Sequence, residues 1–161
     1  MTDIKGSLAA PRMGRVAVLV SRFNELVTTQ LLDGAQQCLR EHKVPAGKVD
    51  VVWVPGAFEL PVAAEAAAAS GRYAAIVALG CVIRGETAHF DYVAGEAARG
   101  LANVSIAHCV ALGFGVLTTD TLEQAMARAG GRAGNKGYDA TAAALETAGV
   151  LSQLTGAAPR D

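Results

Sequence analysis

Three nearly unbroken apolar runs, each followed by a polar turn, divide the first half of the chain. The runs comprise residues 15–21, 49–54 and 73–83. Runs of this kind are typical of strands in a parallel sheet, and the first and third predict strands that are buried within it. After the first run, Leu31, Ala35 and Leu39 recur at every fourth position, which predicts an amphipathic helix. Strand and helix therefore alternate from the start of the chain.

The second half continues this alternation. The alanine-rich residues 62–69 predict a second helix, because alanine has the highest helix propensity, and residues 90–101 predict a third. Residues 104–112 are interpreted as a fourth strand. Residues 120–123 have the spacing of a capping box that opens a short helix, and Asn135 is a suitable N-cap for a last one.

Four strands alternating with helices, followed by one extra helix, predict a single α/β domain. The expected fold is a three-layer α/β/α sandwich around a flavodoxin-like, parallel four-stranded sheet. Residues 14–155 form this domain in our interpretation. Residues 1–13 are an N-terminal arm without clear periodicity, and residues 156–161 are a C-terminal tail.

Composition narrows the functional classes. With 161 residues, 52% hydrophobic and 18% charged, the chain is predicted to be globular, and its net charge of −1 provides no basic surface for nucleic acid or anionic membranes. Met1 begins a segment without the apolar core of a signal peptide. Cys38, Cys81 and Cys109 lie apart in apolar segments, so we interpret them as buried thiols of a cytoplasmic protein. We expect neither a metal nor a cofactor.

Polar clusters follow each of the first three strands, in residues 21–25, 55–59 and 84–89. The last cluster has Gly85 for a tight turn and Thr87 as an expected N-cap, with Arg84 beside them and His89 in the first helical turn. Backbone N–H groups at a helix start bind anions such as phosphate. Because ligands of parallel sheets bind beyond the carboxyl ends of the strands, the three clusters predict one shared small-molecule site.

The residue types at these turns limit the chemistry without fixing it. The chain has no nucleophile elbow, no P-loop and no dinucleotide-binding glycine fingerprint. An aromatic ring, a carboxylate, an anion-binding turn and a histidine fit a planar, polyol-bearing ligand and a phosphorylated partner. Two classes remain at this point. One is an enzyme that joins or eliminates small phosphorylated molecules, and the other is a non-catalytic flavodoxin-like module that holds FMN.

An ordered set of short motifs resembles the 6,7-dimethyl-8-ribityllumazine synthase family. It includes PGAFELP at residues 55–61 and GCVIRGETAHFDYV at residues 80–93. The other matching segments are residues 22–24, 114–119, 123–125, 128–130 and 135–137. The resemblance implies condensation of 5-amino-6-(D-ribitylamino)uracil with 3,4-dihydroxy-2-butanone 4-phosphate, with release of water and phosphate. The alternatives are a flavin-binding module or a shell protein without turnover.

The resemblance also implies roles for individual residues. His89 would move protons, Phe23 would stack on the pyrimidine, Lys136 would reach the ribityl side, and Phe114 would come from an adjacent subunit. The residues implied to hold the pyrimidine ring and ribityl chain are Phe23, Asn24, Ala57, Phe58, Glu59, Cys81, Val82 and Ile83. Those implied to bind the phosphate are Gly85, Glu86, Thr87 and Arg128.

One departure and one feature of assembly complete the comparison with the family. Ala111 stands where the family often has proline, and with Gly113 it leads us to expect a looser wall around Phe114. The family forms pentamers. The short link at residues 130–136 resembles that of members whose pentamers close into a 60-subunit shell. Riboflavin synthase is a further expected partner.

Overall fold

A parallel sheet of four strands lies at the centre of the protein, whose computed structural model describes residues 1–11 and 14–156. The strands are β1 (Arg15–Ser21), β2 (Val49–Val54), β3 (Tyr73–Ile83) and β4 (Ala111–Thr119), in the order β2-β1-β3-β4. The first three strands begin and end at the predicted residues. Apolar side chains of β1 and β3 are buried on both faces of the sheet, as the unbroken runs predicted.

Helices cover both faces of the sheet. They are α1 (Glu25–Glu41), α2 (Leu60–Ala69), α3 (His89–His108), α4 (Leu122–Arg128) and α5 (Lys136–Thr155). Helices α1, α4 and α5 share one core with the sheet, and α2 and α3 share the other. Two short strands, β5 (Ala129–Gly131) and β6 (Gly134–Asn135), form an antiparallel ribbon between α4 and α5. The predicted three-layer α/β fold is confirmed, and no helix in the described residues is long and apolar enough to cross a membrane.

The predicted fourth strand was placed too early. Residues 104–108 belong to α3, and the strand begins only at Ala111. The buried residues Ala97, Leu101 and Val104 show the reason, because their spacing continues the helical stripe past the predicted end of the helix. Cys109 terminates α3 in the left-handed conformation and is exposed, so its predicted burial was wrong.

At two glycines, strand β4 approaches α5 so closely that no side chain lies between them. A Cβ atom on Gly113 would collide with the backbone of Ala140, and one on Gly115 would lie 2.6 Å from Leu79 Cδ2. These glycines therefore permit close packing of a regular strand against α5. Ala111 is fully buried and lies opposite Ala75 of β3.

The two predicted helix caps had different outcomes. Asn135 caps α5 as predicted, since its Oδ1 accepts hydrogen bonds from two backbone N–H groups at the helix start. The capping box of α4 is one residue later than predicted, with Thr121 as the N-cap and Gln124 as its partner. The N-terminal segment is held against α5 by a hydrogen bond in which Gln153 Nε2 of the helix donates to Lys5 O over 2.7 Å. Arg12, Met13 and residues 157–161 lie outside the described residues.

Candidate active site

The turn between β1 and α1 is joined to the turn that follows β2. Arg22 N donates to Val54 O over 2.8 Å, and Phe23 N donates to Pro55 O over 3.0 Å. These bonds extend the pairing of the two strands beyond the sheet edge. The ring of Phe23 is 71% exposed, so it is a free aromatic surface beside the second turn.

Asn24 fastens the same turn to β3. Its backbone is left-handed, with φ of 60°, a conformation that asparagine tolerates better than most residues. Its side-chain Nδ2 donates to Cys81 O over 2.9 Å. The side-chain nitrogen of Asn24, a residue expected to hold substrate, is thus already bonded within the protein, and this bond shapes the turn.

The end of β3 extends past β1 and leaves part of its backbone uncovered. Pairing with β1 ends at Leu79, whereas pairing with β4 continues to Ile83. Arg84 N donates towards β4, to Thr119 O. Because successive peptide groups of a strand point to opposite sides, those of Ile83 face the side on which β1 has ended. Burial raises the pKa of the Cys81 thiol to about 11, so this residue does not supply a thiolate.

The turn after β2 places a carboxylate at a helix start. Ala57–Glu59 form one 3₁₀ turn, in which Ala57 is buried and Phe58 is exposed. A Cβ atom on Gly56 would lie 3.1 Å from Glu59 Oε2, so the carboxylate folds back over this glycine. Glu59 is the N-cap residue of α2, where the helix dipole favours a negative charge. A structural role at the helix start thus accompanies the predicted ligand role.

The turn after β3 carries the predicted histidine to the same edge of the sheet. Helix α3 begins at His89, and its N-cap is Ala88, one residue after the predicted Thr87. Thr87 Oγ1 still accepts a hydrogen bond from His89 N, at 3.4 Å. Gly85, Glu86 and His89 are exposed, and nothing lies within 4 Å of a Cβ built on Gly85.

The guanidinium of Arg84 is engaged by two carboxylates, which the sequence interpretation did not include. Its Nε donates to Asp120 Oδ1 over 3.0 Å, and its Nη1 lies 3.6 Å from Asp91 Oδ1. The guanidinium carbon also lies 4.3 Å from the centre of the Phe90 ring. Sequence reasoning missed both carboxylates. Asp91 stands two residues after His89, but Asp120 becomes a neighbour only through the pairing of Ile83 with Thr119.

Three predicted residues lie outside these three turns. Phe114 is opposite Ala78, in the middle of β4, and lines a groove of about 320 Å³ between β4 and α3. Lys136 opens α5, where its Nζ lies 3.2 Å from Asp139 Oδ2. Arg128 ends α4, and its guanidinium donates to the Gln124 carbonyl over 2.9 Å.

The structure therefore brings together the residues of the first three turns at one edge of the sheet. This edge combines an exposed aromatic ring, uncovered strand backbone, a carboxylate and a histidine at a helix start. In the described residues, no group of three or more His, Cys, Asp and Glu could hold a metal ion. The arrangement fits proton transfer between small polar ligands.

Comparison with known families agrees with this geometry. The family model described as 6,7-dimethyl-8-ribityllumazine synthase matches residues 13–152 of the 161-residue chain. The match spans the sheet, all five helices except the end of α5, and every turn described above.

Proposed function

We propose roles for these residues from the premise that the chain belongs to the 6,7-dimethyl-8-ribityllumazine synthase family. The protein is an enzyme, a transferase of riboflavin biosynthesis. It condenses 5-amino-6-(D-ribitylamino)uracil with 3,4-dihydroxy-2-butanone 4-phosphate and releases phosphate and water. The assignment of each residue is our own proposal.

The observation that carries the mechanism is the position of His89. It is the first residue of α3, is exposed, and follows directly on a turn of accessible backbone. A histidine here moves a proton during imine formation and again when phosphate leaves. Replacing His89 with alanine should slow turnover by about 10- to 10,000-fold, as expected for a lost acid–base group. Substrate affinity should change much less, because the other contacts remain.

The pyrimidine binds at the uncovered end of β3 in this proposal. The peptide groups of Ile83 read the polar edge of the ring, and Cys81 and Val82 form the strand backbone beside them. Phe23 stacks on its face, since an exposed aromatic ring is a good platform for a planar ligand. Glu59 and the adjoining Ala57–Phe58 backbone hold the ribityl hydroxyl groups. Asn24 acts indirectly, by fixing the turn that carries Phe23.

The phosphate of the second substrate binds at residues 85–87 with Arg128. The accessible turn before α3 and the positive end of that helix dipole support this choice. Arg84 is occupied by carboxylates, so Arg128 supplies the free cation in our assignment. Arg128→Ala should weaken binding of the phosphorylated substrate by about 1.5–3 kcal/mol and leave pyrimidine affinity unchanged. Titration of each substrate separately measures both constants.

We further propose that a second copy of the chain completes the site. Phe114 lies about five residues before the end of β4, too far along the strand to reach its own chain's turns. Both edges of the sheet carry exposed apolar surface. Val51, Val52 and Trp53 are exposed on β2, and Ile106 is exposed beside the groove at β4. Two different apolar edges suit a head-to-tail ring, which agrees with a homopentamer.

Mixed assemblies test the shared site. His89→Ala and Phe114→Ala chains should each be impaired alone, whereas coexpression should restore activity. At random equal mixing, about a quarter of the sites would combine an unreplaced His89 from one chain with an unreplaced Phe114 from its neighbour. Activity that does not rise above the sum of the separate variants would place both residues in one protomer.

The larger assembly and the location are also proposed. The ribbon at residues 129–135 is short, which supports closure of twelve pentamers into a 60-subunit shell. Lys136, beside this ribbon, would reach the ribityl side of the substrate. Sedimentation of the pure protein distinguishes a shell from a free pentamer. Buried, unpaired thiols at Cys38 and Cys81 support a cytoplasmic location, and riboflavin synthase is the proposed functional partner.

A further inference from the structure

We propose that Arg84 is a positioning residue for the phosphate-binding turn. It ties residues 85–87 to the turn after β4, holds two carboxylates that would otherwise repel a phosphorylated substrate, and offsets one of their negative charges. This inference rests on the proposed phosphate position at residues 85–87, and it assigns to Arg84 no direct contact with substrate.

The contacts of Arg84 join three parts of the sheet edge. Its backbone N–H continues the pairing of β3 with β4, through Thr119 O at 2.8 Å. Its side chain then reaches Asp120, the first residue after β4, and Asp91 in the first turn of α3. Stacking on the Phe90 ring helps to hold the planar guanidinium in place. One side chain thus sets the direction in which the chain leaves β3 and enters α3.

The turn has few other attachments. In the described part of the chain, Glu86 and His89 make no side-chain hydrogen bond, and Thr87 bonds only to the neighbouring His89 N. Gly85 has open space around it. The accessible N–H groups that would cradle a phosphate therefore depend on Arg84 for their position. A misplacement of about 1 Å can reduce an enzyme's rate by as much as 100-fold.

The charges give Arg84 a second task. Asp91 and Asp120 carry two negative charges beside the turn, and the exposed Glu86 adds a third. A phosphate dianion approaching this group meets net repulsion unless cations offset it. Arg84 neutralises one of the charges and holds both aspartates by their oxygens. Loss of Arg84 should therefore reduce phosphate affinity more than loss of an ordinary surface arginine.

Binding of inorganic phosphate to the assembled protein, measured as competition with the phosphorylated substrate, provides the test. Arg84→Met removes both the positive charge and the planar guanidinium, whereas Arg84→Lys keeps the charge but not the planar group. Arg99→Met is the matched control, because Arg99 also forms an exposed pair on α3, with Glu96 at 2.6 Å. Losing the ion pair with Asp120, the longer contact to Asp91 and the stacked ring amounts to a factor of about 5 to 30.

We expect Arg84→Met to raise the phosphate dissociation constant by about 5- to 30-fold, with pyrimidine affinity unchanged within about twofold. The phosphate dissociation constant of Arg84→Lys should lie between those of Arg84→Met and the parent. Adding Asp120→Asn to Arg84→Met should recover part of the phosphate affinity, which a merely structural role of Arg84 would not produce. Arg99→Met should bind phosphate like the parent.

Two results would overturn the inference. One is phosphate affinity in Arg84→Met equal to that in Arg99→Met. The other is a double variant that binds phosphate no better than Arg84→Met. The Arg128→Ala protein separates these failures from an error in the proposed function. If that protein binds phosphate weakly while Arg84→Met does not, only the role of Arg84 is wrong. If neither replacement affects phosphate, the proposed phosphate position itself is wrong.

Discussion

Replacement of Asn24 should show how much the shape of the site depends on one hydrogen bond. Asn24 holds the turn that carries Phe23, through its left-handed backbone and its bond to Cys81 O. Alanine at this position removes the bond and also disfavours the left-handed conformation. Glycine removes the bond but adopts that conformation freely. The two replacements therefore separate the two contributions.

The expected magnitudes follow from these contacts. A partly buried side-chain hydrogen bond contributes about 0.5–1.5 kcal/mol, and a left-handed alanine costs about 1–2 kcal/mol. Asparagine itself avoids only part of that second cost. We therefore expect Asn24→Ala to lower the free energy of unfolding by about 1.5–3 kcal/mol, and Asn24→Gly by about 0.5–1.5 kcal/mol. Both variants should bind the pyrimidine substrate more weakly, because the position of Phe23 becomes less defined.

Urea unfolding at one fixed protein concentration gives these free energies, since assembly would otherwise change them. Arg22→Ala is the matched control. Arg22 lies in the same turn with an exposed side chain, and its backbone bond to Val54 O is unaffected by the replacement. Its unfolding free energy should stay within about 0.5 kcal/mol of the parent. Equal destabilisation by alanine and glycine would refute the backbone argument, and an unchanged Asn24→Gly would refute the contribution of the hydrogen bond.

Three further predictions concern packing, pH and thiol reactivity. Gly113→Ala should lower the free energy of unfolding in urea by about 1–3 kcal/mol through a clash with α5, whereas Gly95→Ala, in open space on α3, should not. Hydrogen bonds from Arg15 and Tyr73 lower the pKa of Asp50 to about 2. The contribution of Asp50 to the free energy of unfolding is therefore complete above about pH 4 and is lost as the pH falls towards 2. Asp50→Asn should remove this slope from the pH dependence of urea unfolding. Maleimide labelling of the folded protein should modify the exposed Cys109 and spare the two buried thiols.

The buried strands were the most predictable part of the fold. A strand covered on both faces must be apolar throughout, so β1 and β3 stood out from their surroundings. The end of α3 was harder to predict because Val104 and Ile106 are β-branched and favour strands locally. Val104 packs on the core in a helical stripe that begins at Ala97, and this tertiary contact overrides the local preference.

The convergence of the three polar turns was predictable from the sequence, but the bonding within them was not. The carboxyl ends of parallel strands meet at one edge, so three polar turns had to be neighbours. The partners of Asn24 and Arg84 depend on strand register, which the sequence does not display. Cys81 and Asp120 lie 57 and 36 residues away from them. Consequently, two residues that the sequence suggested as ligands have side chains that the structure uses within the protein.

The middle of β4 explains how one edge strand can pack on the core and still present an aromatic ring on its other face. Side chains of a strand alternate between the two faces of a sheet. Gly113 and Gly115 face α5, where the close approach of the helix leaves no room for a Cβ atom. Phe114 must therefore face the other way, into the groove beside α3. The glycines thus let one face of the strand pack closely against α5, and in doing so they fix the direction of the aromatic ring on the other face. The proposed site between chains would depend on this direction, because the neighbouring protomer cannot adjust a ring that it does not itself hold.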